Sequence, residues 1–138
     1  MIYNDLGKTG LKVSNLGFGA SSLGGVFRDI KENEAVEAVF TAVDNGINFI
    51  DVSPYYGHLK AETVLGKALK DIPREKYILS TKVGRYGKDG VNTWDYSAKK
   101  AKESVYESME RLHIDHIDLI NVHDVEFADL EQVVKETL

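Results

Sequence analysis

The feature that most constrains this chain is a recurring order: a short apolar run, a polar turn, then a stretch with helical apolar spacing. The runs at residues 15–19, 47–50, 77–81 and 117–122 each precede such a stretch, at residues 33–45, 61–70, 97–112 and from 129 onward. A chain that alternates in this way is expected to place its strands parallel in one sheet, joined by right-handed helical crossovers. The opening differs. Residues 2–6 and 11–14 flank Gly7-Lys8-Thr9-Gly10, which reads as an antiparallel hairpin turn. The predicted fold class is therefore α/β, with a hairpin and four βα units in one domain, residues 1–138.

Helix faces follow from spacing. Ala35, Val36, Val39, Ala42 and Val43 form one stripe, closed by Gly46. Val64, Leu65, Ala68 and Leu69 form a second, with Pro73 beyond it. Ser97 is the expected N-cap of a third helix burying Ala98, Ala101, Val105, Met109 and Leu112. Asp129 with Gln132 reads as a capping box for a fourth. Residues 20–25 and 84–96 are expected to be loops. The last helical pattern runs to Leu138 without Gly, Asn or Pro to end it, which reads as a chain cut short.

Composition excludes several functions. A net charge of −5 is wrong for a nucleic-acid surface. No apolar run reaches the roughly 18 residues of a membrane span. No cysteine is present for disulfides or thiolate metal sites. Residues 1–5 lack the pattern of a secretory signal, so a cytoplasmic protein is expected.

In βα barrels the reactive groups lie at the C-terminal ends of the strands. Three of these strands hand over directly to an ionisable residue: Asp51, Lys82 and His123. The loop after the second βα strand adds Pro54-Tyr55-Tyr56-Gly57. Parallel strands would bring all of them to one rim. A phenol titrates near ~10 and is a poor proton donor at neutrality unless an ammonium beside it favours the phenolate. A carboxylate would keep that ammonium charged and aimed, and an imidazole can bond a substrate oxygen. Such a set suits protonating a carbonyl oxygen while hydride reaches carbon, or the reverse.

Each residue alone also has an ordinary reading: a cap for Asp51, packing for Tyr56, an ion pair for Lys82, a structural role for His123. Lys82 could instead form a Schiff base. Gly17-Phe18-Gly19 is not a dinucleotide fingerprint, because Ser22 stands where the third glycine would be. His113, Asp115, His116 and Asp118 read as a solvated junction rather than a metal site, and no metal is expected at His123, Asp124 and Glu126. Lys99, Lys100 and Lys102 read as a wet helix face.

The run Gly46-Ile47-Asn48-Phe49-Ile50-Asp51-Val52-Ser53-Pro54-Tyr55-Tyr56-Gly57 resembles the aldo-keto reductase signature, with Val52 where Thr or Ser is usual. Thr81-Lys82-Val83 resembles that family's lysine strand, Leu119-Ile120-Asn121-Val122-His123 its histidine strand, and residues 6–19 its hairpin and first strand. The resemblance spans the chain and implies the N-terminal half of a (β/α)₈ TIM-type barrel. It implies a catalytic tetrad of Asp51, Tyr56, Lys82 and His123: Tyr56 as general acid/base, Lys82 lowering its pKa, Asp51 orienting Lys82, and His123 contacting the substrate oxygen. It implies NAD or NADP as cofactor, with Gly19, Ala20 and Ser21 near the nicotinamide ribose and Asp51 beside them. Residues 84–86 and 123–127 resemble the L-galactose dehydrogenase branch, near L-fucose and aldose dehydrogenases, which implies a sugar oxidised to a lactone.

Most cofactor contacts in that family come from its second half, so the isolated chain is expected to turn over little substrate and to self-associate. The alternative carried forward is a non-catalytic, nicotinamide-sensing regulatory module. Neither a nucleic acid nor a membrane is expected as a partner.

Overall fold

The glycines of the opening turn take left-handed backbone conformations, Gly7 at φ 54° and Gly10 at φ 78°, and fold β1 (Tyr3–Asp5) antiparallel onto β2 (Lys12–Ser14). The structure is a computed structural model that describes residues 1–88 and 91–138. The hairpin is fastened to the body by Tyr3, whose hydroxyl donates to the Gly46 carbonyl at 2.9 Å, and by the Asn48 side chain, which accepts from Ser14 N–H at 2.7 Å.

Behind it, β3 (Phe18–Gly19), β4 (Phe49–Asp51), β5 (Ile78–Val83) and β8 (Leu119–Val122) form one all-parallel sheet in that order. The crossovers are α1 (Glu32–Asp44), α2 (Lys60–Leu69) and α3 (Ala98–Leu112). Ser97 caps α3 as expected, accepting from Lys100 N–H at 3.3 Å. Ile50, Val52 and Leu79 from the sheet meet Ala35 and Val39 of α1, Ala61, Leu65 and Ala68 of α2, and Leu112 of α3 in one core. Burying a side chain such as Leu65, at 0% exposure, contributes about 1.5–3 kcal/mol. Gly66 lets α2 and α3 touch, since a Cβ there would lie 2.1 Å from the Arg111 carbonyl oxygen.

Four expectations need correction. Residues 20–25 are not an open loop: Ala20–Gly24 is a 3₁₀ turn that buries Ala20 and Leu23. Residues 84–96 hold a second hairpin, β6 (Arg85–Lys88) against β7 (Val91–Trp94); its tip, residues 89 and 90, lies outside the described residues. The buried face of α3 is rotated from the apolar stripe: Ala101, Ser104, Ser108 and Leu112 are buried, Val105 and Met109 half-buried, and Ala98 exposed. The rotation follows a polar demand, because Ser108 and Arg111 both bond the buried carboxylate of Glu62. At α4 (Leu130–Gln132), Asp129 accepts from Glu131 N–H at 2.8 Å, but Gln132 returns no bond among the described residues. The segment continues as a π turn, Val133–Thr137, burying only Val133.

Candidate active site

The register sets the rim. Gly19 pairs with Asp51, Asp51 with Ser80, and Lys82 with Asn121. Because strand side chains alternate, Asp51, Ser80, Lys82 and Asn121 share the face away from the helices, while Ile50, Leu79 and Thr81 face the core. Asp51 closes β4, Lys82 stands one residue before the end of β5, and His123 follows β8. Lysine thus lies inside its strand rather than beyond it.

Lys82 Nζ donates to Asp51 Oδ2 at 2.5 Å and to the Val52 carbonyl at 2.9 Å. The lysine side chain is 13% exposed and the carboxylate 33%. Two charge-assisted bonds fix the ammonium's direction. Its remaining side faces Tyr56, with Nζ 4.8 Å from the ring centroid, within cation–π range. The contact is to the ring face; among the described residues no hydrogen bond joins Nζ to the Tyr56 hydroxyl.

The His123 ring stands edge-to-face against Tyr56 and Tyr55, with centroids 5.7 and 5.9 Å away. Its Nδ1 lies 3.1 Å from Ser53 Oγ. Burial pushes the imidazole below its ordinary pKa; Asp124 pulls the other way, and the Lys82 and Arg85 charges add to the lowering. Ser53 Oγ also accepts from Tyr55 N–H at 3.2 Å. In the neutral ring whose Nδ1 accepts the Ser53 hydroxyl proton, Nε2 carries the ring proton.

The tyrosine loop is held by backbone contact. Gly57 has φ 61°, and a Cβ there would lie 2.3 Å from Gly24 O; one on Gly24 would lie 2.9 Å from Tyr56 O. The 3₁₀ turn after β3 and the loop after β4 can lie this close only because both positions lack side chains. Of the four expected cofactor residues, Asp51 is engaged by Lys82, and Gly19 is exposed, with no atom within 4 Å of where a Cβ would stand. Ser21 is half-buried and Ala20 is buried.

The second hairpin supplies residues that the reading of 84–96 as a loop missed. Arg85 bonds the Asp124 carboxylate through Nη1 and the Tyr55 hydroxyl through Nη2 at 2.8 Å, and lies 3.7 Å from the Tyr55 ring centroid. The Tyr96 hydroxyl lies 2.9 Å from the carbonyl oxygens of both His123 and Asp124. Spacing gave little signal, since Tyr86 pairs with Thr93 and Trp94 with Arg85, which puts the two aromatics on opposite faces of the hairpin. Lys100 is not part of a fully wet face, since its Nζ sits 5.2 Å from the Tyr86 ring centroid. Nor is Asp118 solvated: it accepts from Arg74 at 2.5 Å and from Leu79 N–H at 2.7 Å, pegging β5.

No group of three or more His, Cys, Asp or Glu able to hold a metal occurs among the described residues, and no helix among them is long and apolar enough to cross a membrane.

Residues 15–136 match the model described as Aldo/keto reductase family. The chain is 51% identical over 135 residues to L-galactose dehydrogenase of Arabidopsis thaliana, a match covering 96% of this chain and 41% of that protein. It is 35% identical over 140 residues to a protein of the same plant named "Probable voltage-gated potassium channel subunit beta", covering 100% of this chain and 41% of the other. Among solved structures, it resembles the holo form of an aldo-keto reductase from Bacillus halodurans, with a TM-score of 0.84 and 37% identity, over 99% of this chain and 44% of that one. The chain thus spans about two fifths of the length of these curated relatives.

Proposed function

The chain belongs to the aldo/keto reductase family, and from that premise we propose that its rim carries the proton-handling half of a nicotinamide-dependent oxidoreductase acting on a sugar or small carbonyl/alcohol. The observation that carries this reading is the position of Lys82 Nζ, 2.5 Å from Asp51 Oδ2 on one side and 4.8 Å from the Tyr56 ring centroid on the other.

NAD or NADP suits the residues present: Asp51 is one-third exposed on this rim, and Gly19 leaves its backbone open to approach. Gly19 and Ser21 would hold the near end of the cofactor, which supplies the hydride acceptor or donor. Asp51 keeps Lys82 charged and aimed. Tyr56, facing that ammonium, takes the proton of a substrate hydroxyl as the alcohol is oxidised and returns it to the carbonyl oxygen in reduction. His123, protonated on Nε2, donates a hydrogen bond to the same oxygen and orients it. The 51% identity to L-galactose dehydrogenase supports an aldose as substrate.

The chain alone is expected to turn over little. Joined to the C-terminal portion of the Arabidopsis dehydrogenase, it should reduce NAD(P) with L-galactose, and Tyr56→Phe should lower that rate by about 10²-fold or more. A rate indifferent to Tyr56→Phe removes the assignment. The likeness to a channel subunit beta favours a second reading, a regulatory module that binds nicotinamide without turnover. Dinucleotide binding by the joined protein, with no product from any aldose, selects it.

A further inference from the structure

Asp124 adopts φ 51°, a left-handed conformation uncommon outside glycine, with the Tyr96 hydroxyl 2.9 Å from both the His123 carbonyl and its own, so that the hydroxyl's single proton is shared between them. Such an outlier beside a reactive rim points to a use for the side chain. The carboxylate divides its work. Oδ2 is engaged by Arg85, whereas Oδ1 lies 3.7 Å from His123 Nε2, too far for a hydrogen bond, and so remains an open acceptor beside the donor that meets the substrate oxygen. Arg85 also lies 5.2 Å from the ring centroid of Trp94, and Trp94 and Phe127, both exposed, have centroids 6.1 Å apart; the three residues line an open cavity of about 470 Å³.

A donor and an acceptor this far apart match two oxygens on adjacent carbons. Gauche vicinal hydroxyls are separated by about 2.8 Å, so one can accept from Nε2–H while its neighbour donates to Oδ1. The aromatic faces suit the apolar C–H side of a sugar ring.

Resting on the oxidoreductase reading above, we infer that Asp124, held by the Arg85 that also lines the Trp94–Phe127 cavity, binds the hydroxyl next to the reacting carbon, and that this rim selects an aldose over a simple alcohol. A charge-assisted bond of this kind discriminates by about tenfold or more.

Trp94 is the chain's only tryptophan, so its emission reports on this cavity without any turnover. In a fluorescence titration of the chain, L-galactose should shift the emission with a dissociation constant at least about tenfold below that of its 2-deoxy analogue. Asp124→Asn keeps a residue that tolerates the left-handed backbone and should bring the two sugars within about threefold of each other. An equal response to both sugars, or a response to neither, overturns the subsite. A selective response in a protein that shows no turnover once joined to its second half keeps the subsite and removes the oxidoreductase reading; turnover without a selective response does the opposite.

Discussion

Thr81 and Lys82 are neighbours on β5, yet they serve opposite charge clusters. Thr81 points to the helix side and donates to Glu62 Oε1 at 2.8 Å; Lys82 points to the bare side and donates to Asp51 Oδ2 at 2.5 Å. Glu62 is 0% exposed: Oε2 also accepts from Arg111 Nε at 2.7 Å and from Ser108 Oγ at 3.2 Å. Burial closes this carboxylate to a ligand, and its three hydrogen bonds tie α2, α3 and β5 together. Asp51 is one-third exposed, its lysine faces an aromatic ring, and the nearby imidazole is bonded through Nδ1 alone among the described residues. The same kinds of groups become scaffold where every bond is internal, and reactive where one bond is left for something outside.

That contrast can be broken in four ways. The largest effect is expected from Lys82→Met, which should lower turnover of the joined enzyme by about 10²–10⁴-fold, while its melting temperature moves little because the pair is partly solvated. A large loss of stability instead would place Lys82 with the scaffold. Glu62→Ala should do the reverse, costing about 3 kcal/mol in urea unfolding by leaving the Arg111 guanidinium buried without its partner. A near-neutral Glu62→Ala would mean that the buried cluster is not structural glue.

Next comes pH. The folded state holds His123 below its ordinary value of 6.5, so between the two values the unfolded chain binds more protons. Stability therefore rises with pH through that window, is flat above about 6.5, and is lost as pH falls, by up to ~1.4 kcal/mol per unit. Thermal melts between pH 5 and about 7 should show this slope, and His123→Gln should remove it. The smallest effect is expected from Ser53→Ala, a few-fold loss of turnover from one hydrogen bond of about 1 kcal/mol. Nitrogen NMR should then show the His123 proton redistributed between Nδ1 and Nε2, and Ser53→Thr should restore it. An unaltered ring spectrum counts against Ser53 as the group that orients the imidazole.

The bare side was legible in the sequence because parallel strands must present their ends together, so Asp51, Lys82 and His123 could be placed from strand order alone. Tyr56 came from the loop pattern. The helix side was harder. Glu62 is polar, and apolar spacing passes over a buried carboxylate; yet it stands three residues before Leu65 and seven before Leu69, on their face of α2. Ser108 misdirected the α3 stripe for the same reason: its burial is decided by a hydrogen-bond partner on another helix. Residues 84–96 hid a hairpin because glycine and charge diluted its strand period, and Arg85's pairing with Asp124 spans 39 positions, which no local pattern registers.

The bare contact between positions 24 and 57 bears on how portable this chemistry is. Transplanting the four strand-tip groups into another barrel would fail if either loop came with a methyl group at that seam, because the phenol-bearing turn would be levered away from the ammonium. The transferable unit is two loops locked flush, and a designer who copies side chains alone would reproduce the ingredients without their alignment.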